Sequence, residues 1–454
     1  MRRLQATRPY ADAAASLQQQ LGFARKCIFH LLGPAARSLL VLLKFISALG
    51  IVVMIACAWL LSRDRKNFPW RTVLWGVGLQ FTFAIFILKT PFGLAVFAAA
   101  QRIIDKLNLF AIEGARMVFG PLADGEVLKN AFGPGNSYVF AVFISATIIV
   151  ISALSALFYH WGILQRVVHA MAWVMRKAMR TSGSESLGAA CNIFLGQTEA
   201  ALLIRPYIPR MTMSELMALM TAGMATIASG VMIVYAQIGV DAGHLLTASV
   251  LSAPAGLLIA KIMFPETEVS ETRSSASAEV KRTSVNSIDA LCRGAGEGVT
   301  LAINVIGMLI AFVATVALAN YVFGALQRWS GVPSPITIQN ALGYANWPFA
   351  FMLGVPTHDC QLVGQVLGER VVLNEFIGYL SLTQIKAQLD PRSFILATYA
   401  LCGFANFSSI AIQIGGIGAL APERRSDLAR LGLRAMVGGL LACYLTASVV
   451  GVLI

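Results

Sequence analysis

The sequence predicts an all-α polytopic membrane protein with eight transmembrane helices and two re-entrant helical hairpins arranged as inverted repeats. Three observations predict it. Of 454 residues, 57% are apolar and 13% charged, against about 45–50% and about 25% in soluble domains, and the mean hydropathy is +0.71. The apolar residues gather in runs long enough to cross about 30 Å of hydrocarbon. Two further apolar segments, one in each half, are interrupted by glycine and polar residues, and each carries a glutamate. This composition excludes a soluble enzyme, a disordered chain and a nucleic-acid-binding domain. The net charge of +13 does not point to nucleic acid either, because the Lys and Arg residues sit in short loops, where they set topology.

Taken in chain order, residues 1–42 form an N-terminal extension of unassigned role, with Arg2, Arg3, Arg8, Arg25, Lys26 and Arg37. Part of it, 17–44, fits a basic amphipathic helix lying on the membrane surface. Residues 43–135 hold spans at 45–61 and 72–88 and then an amphipathic connector. Residues 136–264 form the first repeat, with spans at 136–159, 211–238 and 245–264 and a hairpin at 183–209. The Ser-, Thr- and charge-rich stretch 265–293 reads as a flexible linker. Residues 294–454 form the second repeat, with spans at 297–327, 393–420 and 435–454. Its hairpin unit occupies 356–392, the interrupted apolar part ending at 382.

Orientation follows from the basic stretches. Arg63, Arg65, Lys66 and Arg71 follow the first span; Arg166, Arg176, Lys177 and Arg180 follow the third; Arg424, Arg425, Arg430 and Arg434 precede the last. Eight alternating crossings put all of these, and the linker, on one side, which is therefore cytoplasmic. Both ends of the eight-span bundle then lie outside. The seven Cys, at 27, 57, 191, 292, 360, 402 and 443, include no CxxC pair, and the five His are dispersed, so neither a disulfide framework nor a transition-metal site is expected.

The two interrupted segments carry the functional signal. The first, GSESLGAACNIFLGQTEAALLIRPYIP, contains Glu199; the second, PTHDCQLVGQVLGERVVLNEFIGYLSL, contains Glu375. Each precedes a span with a small, polar middle, GMATIASG at 223–230 and CGFANFSSI at 402–410. Glu199 precedes Ser229 by 30 residues and Glu375 precedes Ser408 by 33. The first unit enters from inside and the second from outside. Interrupted segments at matching places in two inverted halves mark a transport site, since irregular backbone at membrane depth persists only where protein or water satisfies it.

The polar residues at membrane depth are Asn192, Gln197, Thr198, Glu199, Thr226, Ser229, Asn304, Glu375, Asn406, Ser408 and Ser409. No Arg lies directly beside either glutamate in sequence. Carboxylates, amides and hydroxyls suit a neutral polyhydroxylated ligand: a carboxylate accepts from ribose hydroxyls, and an amide such as Gln197 both donates to and accepts from a base edge. An anionic substrate would instead call for Lys, Arg or helix N-termini. Asn192, Thr226 and exposed backbone carbonyls near them offer oxygen ligands for a small hard cation.

At these residues the chain resembles the concentrative nucleoside transporters, in the segments GQTEAALLIRPYIPRMTMSEL (196–216), GMATIASG (223–230), NEFIGYLSL (374–382) and GFANFSSIAIQIGGIGALAPERRSDLARLG (403–432). The resemblance covers about residues 43–454 and implies a homotrimer in a bacterial inner membrane that takes up nucleosides on an ion gradient. It implies that Gln197 and Thr198 contact the nucleobase, with Glu199 reaching it through water. Val231 and Leu301 then line the base pocket and Phe404 packs against it, while Glu375, Asn406 and Ser409 hold the ribose. For sodium it implies side-chain ligands from Asn192 and Thr226 and backbone carbonyls from Thr221 and Ile227. Gly196 stands where some pyrimidine-selective members carry Ser, which extends the expected substrates from uridine to adenosine and other purines. The chain departs from the family in its N-terminal extension.

The expected activity is therefore sodium–nucleoside symport by alternating access, with sodium as coupling ion, no organic cofactor, membrane lipid around the chain and no nucleic-acid partner. The alternative is proton coupling, with Glu199 as proton carrier. An intramembrane enzyme is not expected, because neither GxSxG nor HExxH occurs and the two glutamates lie in separate halves.

Overall fold

The computed structural model describes residues 34–133, 139–272, 284–331 and 335–454. All regular secondary structure among them is helical, and the chain is a polytopic helical membrane protein. Most of the expected surface helix at 17–44, and the middle of the linker at 273–283, lie outside the described residues.

The first helices are α1 (Pro34–Leu60), α2 (Trp70–Lys89), α3 (Pro91–Phe119) and α4 (Gly125–Phe132). Thr90 caps α3, its hydroxyl accepting from Gly93 N at 3.1 Å, and the helix stops at Gly120, whose φ of 56° favours glycine. Then come α5 (Phe140–His160) and α6 (Ile163–Met179). The basic stretch 162–180, expected to be a loop, is thus a helix bounded by left-handed Gly162 and Arg180, with φ of 74° and 56°.

The first hairpin consists of α7 (Gly183–Cys191) and α8 (Gln197–Leu203), with a non-helical tip between them. Ser182 and Glu185 form a capping box at its entry. The expected span 211–238 is two helices, α9 (Met213–Ala225) and α10 (Ser229–Gln237). Thr226 and Ala228 adopt extended backbone between them, with ψ of 168° and 142°. The uninterrupted α11 (Ala242–Met263) follows, then α12 (Ser287–Trp329). At 43 residues, α12 is about 65 Å long, far more than one perpendicular crossing needs.

A helix not foreseen from sequence, α13 (Ile338–Met352), follows and packs along the second hairpin. With only 15 residues it is too short to read as a span. The second hairpin is α14 (Cys360–Val372) and α15 (Glu375–Gln384). The expected span 393–420 is also broken, into α16 (Pro391–Leu401) and α17 (Phe407–Leu420), and α18 (Arg425–Leu453) ends the fold. Both broken spans share a cause: small or β-branched residues leave the helix, and a polar residue then competes for the backbone. Asn406 does so visibly, its Oδ1 accepting from Ser409 N at 2.9 Å to start α17.

Among the described residues, five helices are long and apolar enough alone to cross a membrane: α1, α2, α5, α11 and α18. Each of the two broken spans consists of two half-helices in series. The stretches expected on one side do meet at one end of the bundle. Arg63 N donates to Met263 O at 2.9 Å, Thr72 to Met179 O at 3.2 Å, Gly183 N to Thr272 O at 2.9 Å and Arg424 Nη1 to Met211 O at 2.6 Å. Hairpin 1 has its base at this end. Hairpin 2 has its base at the other, where Asp390 N donates to Asp359 Oδ2 at 2.9 Å and Arg392 reaches Gly451 O at 2.8 Å. The hairpins therefore enter from opposite ends.

At the base of hairpin 1, Lys261 Nζ pairs with Glu185 at 2.6 Å and Glu266 at 3.2 Å. Beside it Glu215 accepts from Ser270 at 2.5 Å and Ser184 at 3.1 Å. This buried network ties α7, α9, α11 and the chain leaving α11 together. The pair α5 and α12 packs lengthwise and stands apart, meeting the rest mainly through α3, α10 and α6.

Candidate functional site

The two helix breaks touch at mid-bundle: Phe404 N donates to Thr226 O at 3.3 Å. Glycine permits this approach. A Cβ on Gly403 would lie 2.6 Å from Cys443 Sγ and 2.7 Å from Met224 O. Each hairpin tip reaches a break, so the site is assembled from four chain interruptions.

On the second-hairpin side, Glu375 opens α15 beneath Asn374, whose Oδ1 caps the helix by accepting from Ile377 N at 2.9 Å. Glu375 is buried, at 7% exposure. It accepts from Asn406 Nδ2 at 2.7 Å and from the Tyr235 hydroxyl at 2.9 Å. Asn406 can donate there because its Oδ1 is taken by Ser409 N and by the Ser408 hydroxyl, at 2.9 and 2.7 Å. A carboxylate has about four lone-pair sites, so two remain for incoming hydroxyls. The buried Ser409 hydroxyl has no hydrogen-bond partner among the described residues.

On the first-hairpin side, Gln197 Oε1 accepts from Gln413 Nε2 at 2.9 Å, and the same Nε2 reaches Met220 O at 3.0 Å. This anchors the Gln197 amide by its oxygen and leaves its NH2 available. The Thr198 methyl packs on Gly416 of α17. Glu199 folds back to accept from Gly196 N and is exposed at the tip. Val231, Leu301 and Phe404 are half-buried against the main core.

The other face of hairpin 1 meets the C-terminal end of α9. Asn192 Nδ2 donates to Gly188 O at 2.9 Å, while Oδ1 is buried without a partner. That oxygen lies over α9 at Gly223, 3.5 Å from where a Cβ would stand. Thr226 donates to Ala222 O at 2.9 Å, so its lone pairs remain, and Ile227 is buried beside it. Thr221 turns its side chain to Gly438 of α18 instead, its hydroxyl unpartnered. The Asn192 and Thr226 side chains both offer oxygen acceptors here. Such a set fits a hard monovalent cation, and the terminal carbonyls of a half-helix add negative potential. No cluster of three or more His, Cys, Asp or Glu able to hold a metal occurs among the described residues.

Tyr235 and Gln413 were not foreseen. Each lies four residues after a predicted site residue, Val231 and Ser409, one turn on along the same helix face, and that spacing is the signal that would have found them. Arg370, buried within the second hairpin, had no such signal.

Three family models match the chain: Na+ dependent nucleoside transporter N-terminus over residues 49–122, nucleoside recognition over 141–242, and Na+ dependent nucleoside transporter C-terminus over 244–451. An uncharacterized transporter of Haemophilus influenzae is 41% identical over 90% of this chain and 97% of its own. Sodium/nucleoside cotransporter 1 of Rattus norvegicus is 37% identical over 90% of this chain, which spans 64% of that longer protein. Among solved structures, CNTnw in an inward-facing substrate-bound state superposes with a TM-score of 0.85 at 38% identity, covering 90% of this chain and 97% of that one.

Proposed function

The chain belongs to the Na+-dependent concentrative nucleoside transporter family, and from that premise we propose that it is a sodium-coupled symporter that concentrates nucleosides into the cell by alternating access. It is a transporter of nucleosides, not an enzyme. The observation that carries the coupling ion is the buried, unpartnered Asn192 Oδ1 facing the C-terminal end of α9. An orphan acceptor against helix-end carbonyls is costly when empty and is relieved by a cation. Asn192 and Thr226 provide side-chain oxygens, and the backbone at Thr221 and Ile227 completes the set. The ion then holds hairpin 1 against α9 and thereby sets Gln197 and Thr198 for the base. That is the source of positive coupling, which is reciprocal between the two ligands.

For the substrate, Glu375, Asn406 and Ser409 receive the ribose. Gln197 and Thr198 meet the base, Glu199 lies at the tip within reach through water, and Val231, Leu301 and Phe404 provide apolar walls. Uridine, adenosine and other purine nucleosides are the expected cargo, in a homotrimer of the bacterial inner membrane. The hairpins and their broken helices move as one body against the α5–α12 pair.

The test is uptake of labelled uridine and adenosine into proteoliposomes with an inward sodium gradient. Accumulation above the equilibrium level that disappears when choline replaces sodium at fixed pH is the expected result. Accumulation that survives in choline and follows a proton gradient would replace sodium by protons; equilibration without accumulation would make the protein a passive pathway.

A further inference from the structure

Arg370 is a buried charge that this mechanism leaves unused. It is wholly buried, at 0% exposure, on α14 just before the tip of hairpin 2. An intramembrane cation is expensive and calls for a reason. No carboxylate forms an ion pair with it among the described residues. Its Nη1 donates to Ala400 O, its Nη2 to Cys443 Sγ at 3.4 Å, and its guanidinium lies 5.9 Å from the centre of the Tyr444 ring.

Helix ends balance the charge. Ala400 lies in the last turn of α16, where carbonyls have no helical donor. Cys443 Sγ in turn lies 3.2 Å from Cys402 O, at the end of α16, and 3.5 Å from Ala225 O, the last residue of α9. The end of α16, which carries about half a negative charge, faces the guanidinium directly, and the end of α9 lies beyond Cys443.

The two halves treat equivalent ends differently. Hairpin 1 brings an acceptor, Asn192 Oδ1, to the end of α9. Acceptors then face acceptors, and a cation must come from solution. Hairpin 2 brings a donor, Arg370, to the end of α16, and the cation is already attached. We propose that Arg370 is a tethered cation that occupies, in the second half, the place a sodium ion takes in the first, so that the carrier moves one sodium per nucleoside. The inference rests on the sodium reading above and deepens it to stoichiometry. Arg370 is a positioning residue: it pins hairpin 2, five residues before Glu375, to the break that bears Asn406.

The experiment is simultaneous uptake of radioactive sodium and labelled uridine by full-length protein in proteoliposomes. Wild type and Arg370→Lys should both carry about one sodium per uridine with a Hill coefficient for sodium of about one. Arg370→Ala should take up uridine about tenfold more slowly at low sodium, recover in part at high sodium, and show a Hill coefficient approaching about two, because a second ion now replaces the guanidinium. A merely structural role would lower the height of the sodium curve without changing its shape, and that result overturns the proposal. Two sodium ions per uridine in wild type overturns it as well, and that measurement decides the matter even where Arg370→Ala fails to reconstitute. Sodium-independent uptake in wild type would remove the coupling reading itself, an outcome distinct from a sodium-dependent ratio of two.

Discussion

Replacing Glu375 by Gln tests the ribose site with almost no change of shape. In the wild-type protein both carboxylate oxygens are occupied, one by Asn406 Nδ2 at 2.7 Å and the other by the Tyr235 hydroxyl at 2.9 Å. Gln offers one oxygen and one NH2 group, so the Tyr235 hydroxyl must turn to accept from that NH2, and its bond to a charged acceptor is lost. A hydrogen bond to a charged group contributes about 1.5–3 kcal/mol. The same substitution weakens the acceptor that meets a ribose hydroxyl, by a similar amount. The bond to the ligand is worth about 1.5–3 kcal/mol, or roughly ten- to hundredfold in uptake at subsaturating uridine, and the bond lost in the network lowers stability by a similar amount. The assay is initial-rate uptake in proteoliposomes, with size-exclusion chromatography to verify intact, inserted protein. A second substrate separates the terms. Wild type should lose most of its rate on 2′,3′-dideoxyuridine, whereas Glu375→Gln should lose little further, because the hydroxyls and the carboxylate act as one unit. Near-normal uridine uptake by Glu375→Gln, or a full additional loss on the dideoxynucleoside, would refute the assignment of Glu375 to the sugar.

Three other outcomes follow from the geometry. Asn192→Ala removes the orphan amide oxygen over α9 and should raise the sodium concentration for half-maximal uptake by roughly tenfold, the equivalent of about 1.4 kcal/mol; an unchanged sodium curve would exclude Asn192 as a ligand. Lys261→Met leaves Glu185 buried without its 2.6 Å partner and should destabilise the fold by about 3–5 kcal/mol, seen as a lower Tm in detergent, with Lys261→Met/Glu185→Gln recovering part of the loss. Gly403→Ala places a methyl 2.6 Å from Cys443 Sγ and 2.7 Å from Met224 O; overpacking of this kind costs about 1–3 kcal/mol and should lower both Tm and uptake, whereas Gly415→Ala, with open space at its Cβ, should change neither.

The helices were legible because their causes are local. Apolar length announced α1, α2, α5, α11 and α18, and the polar interruptions at 183–209 and 356–382 announced both hairpins. The breaks were half legible: GMATIASG and CGFANFSSI stood out as small and polar, but periodicity alone still read each span as continuous. Helix α13 escaped because 15 residues suit neither a span nor a loop, and the helix is held by packing along α14. The helix within 162–180 was not legible because a short run rich in Arg and Lys fits a cytoplasmic loop as well as an amphipathic helix.

What the sequence by itself determined is the solvent and the chemistry. Its composition commits the chain to a bilayer, and its few polar residues at membrane depth, amides, hydroxyls and two glutamates, define what kind of ligand can be held. Only the tertiary structure decided who partners whom. Tyr235 meets Glu375 across 140 residues and Gln413 meets Gln197 across 216, and Arg370 finds the carbonyl end of α16. Such contacts depend on how each helix is rotated and how far its neighbour has shifted along it. That placement is a collective result of packing in a close-packed interior, and no local pattern encodes it.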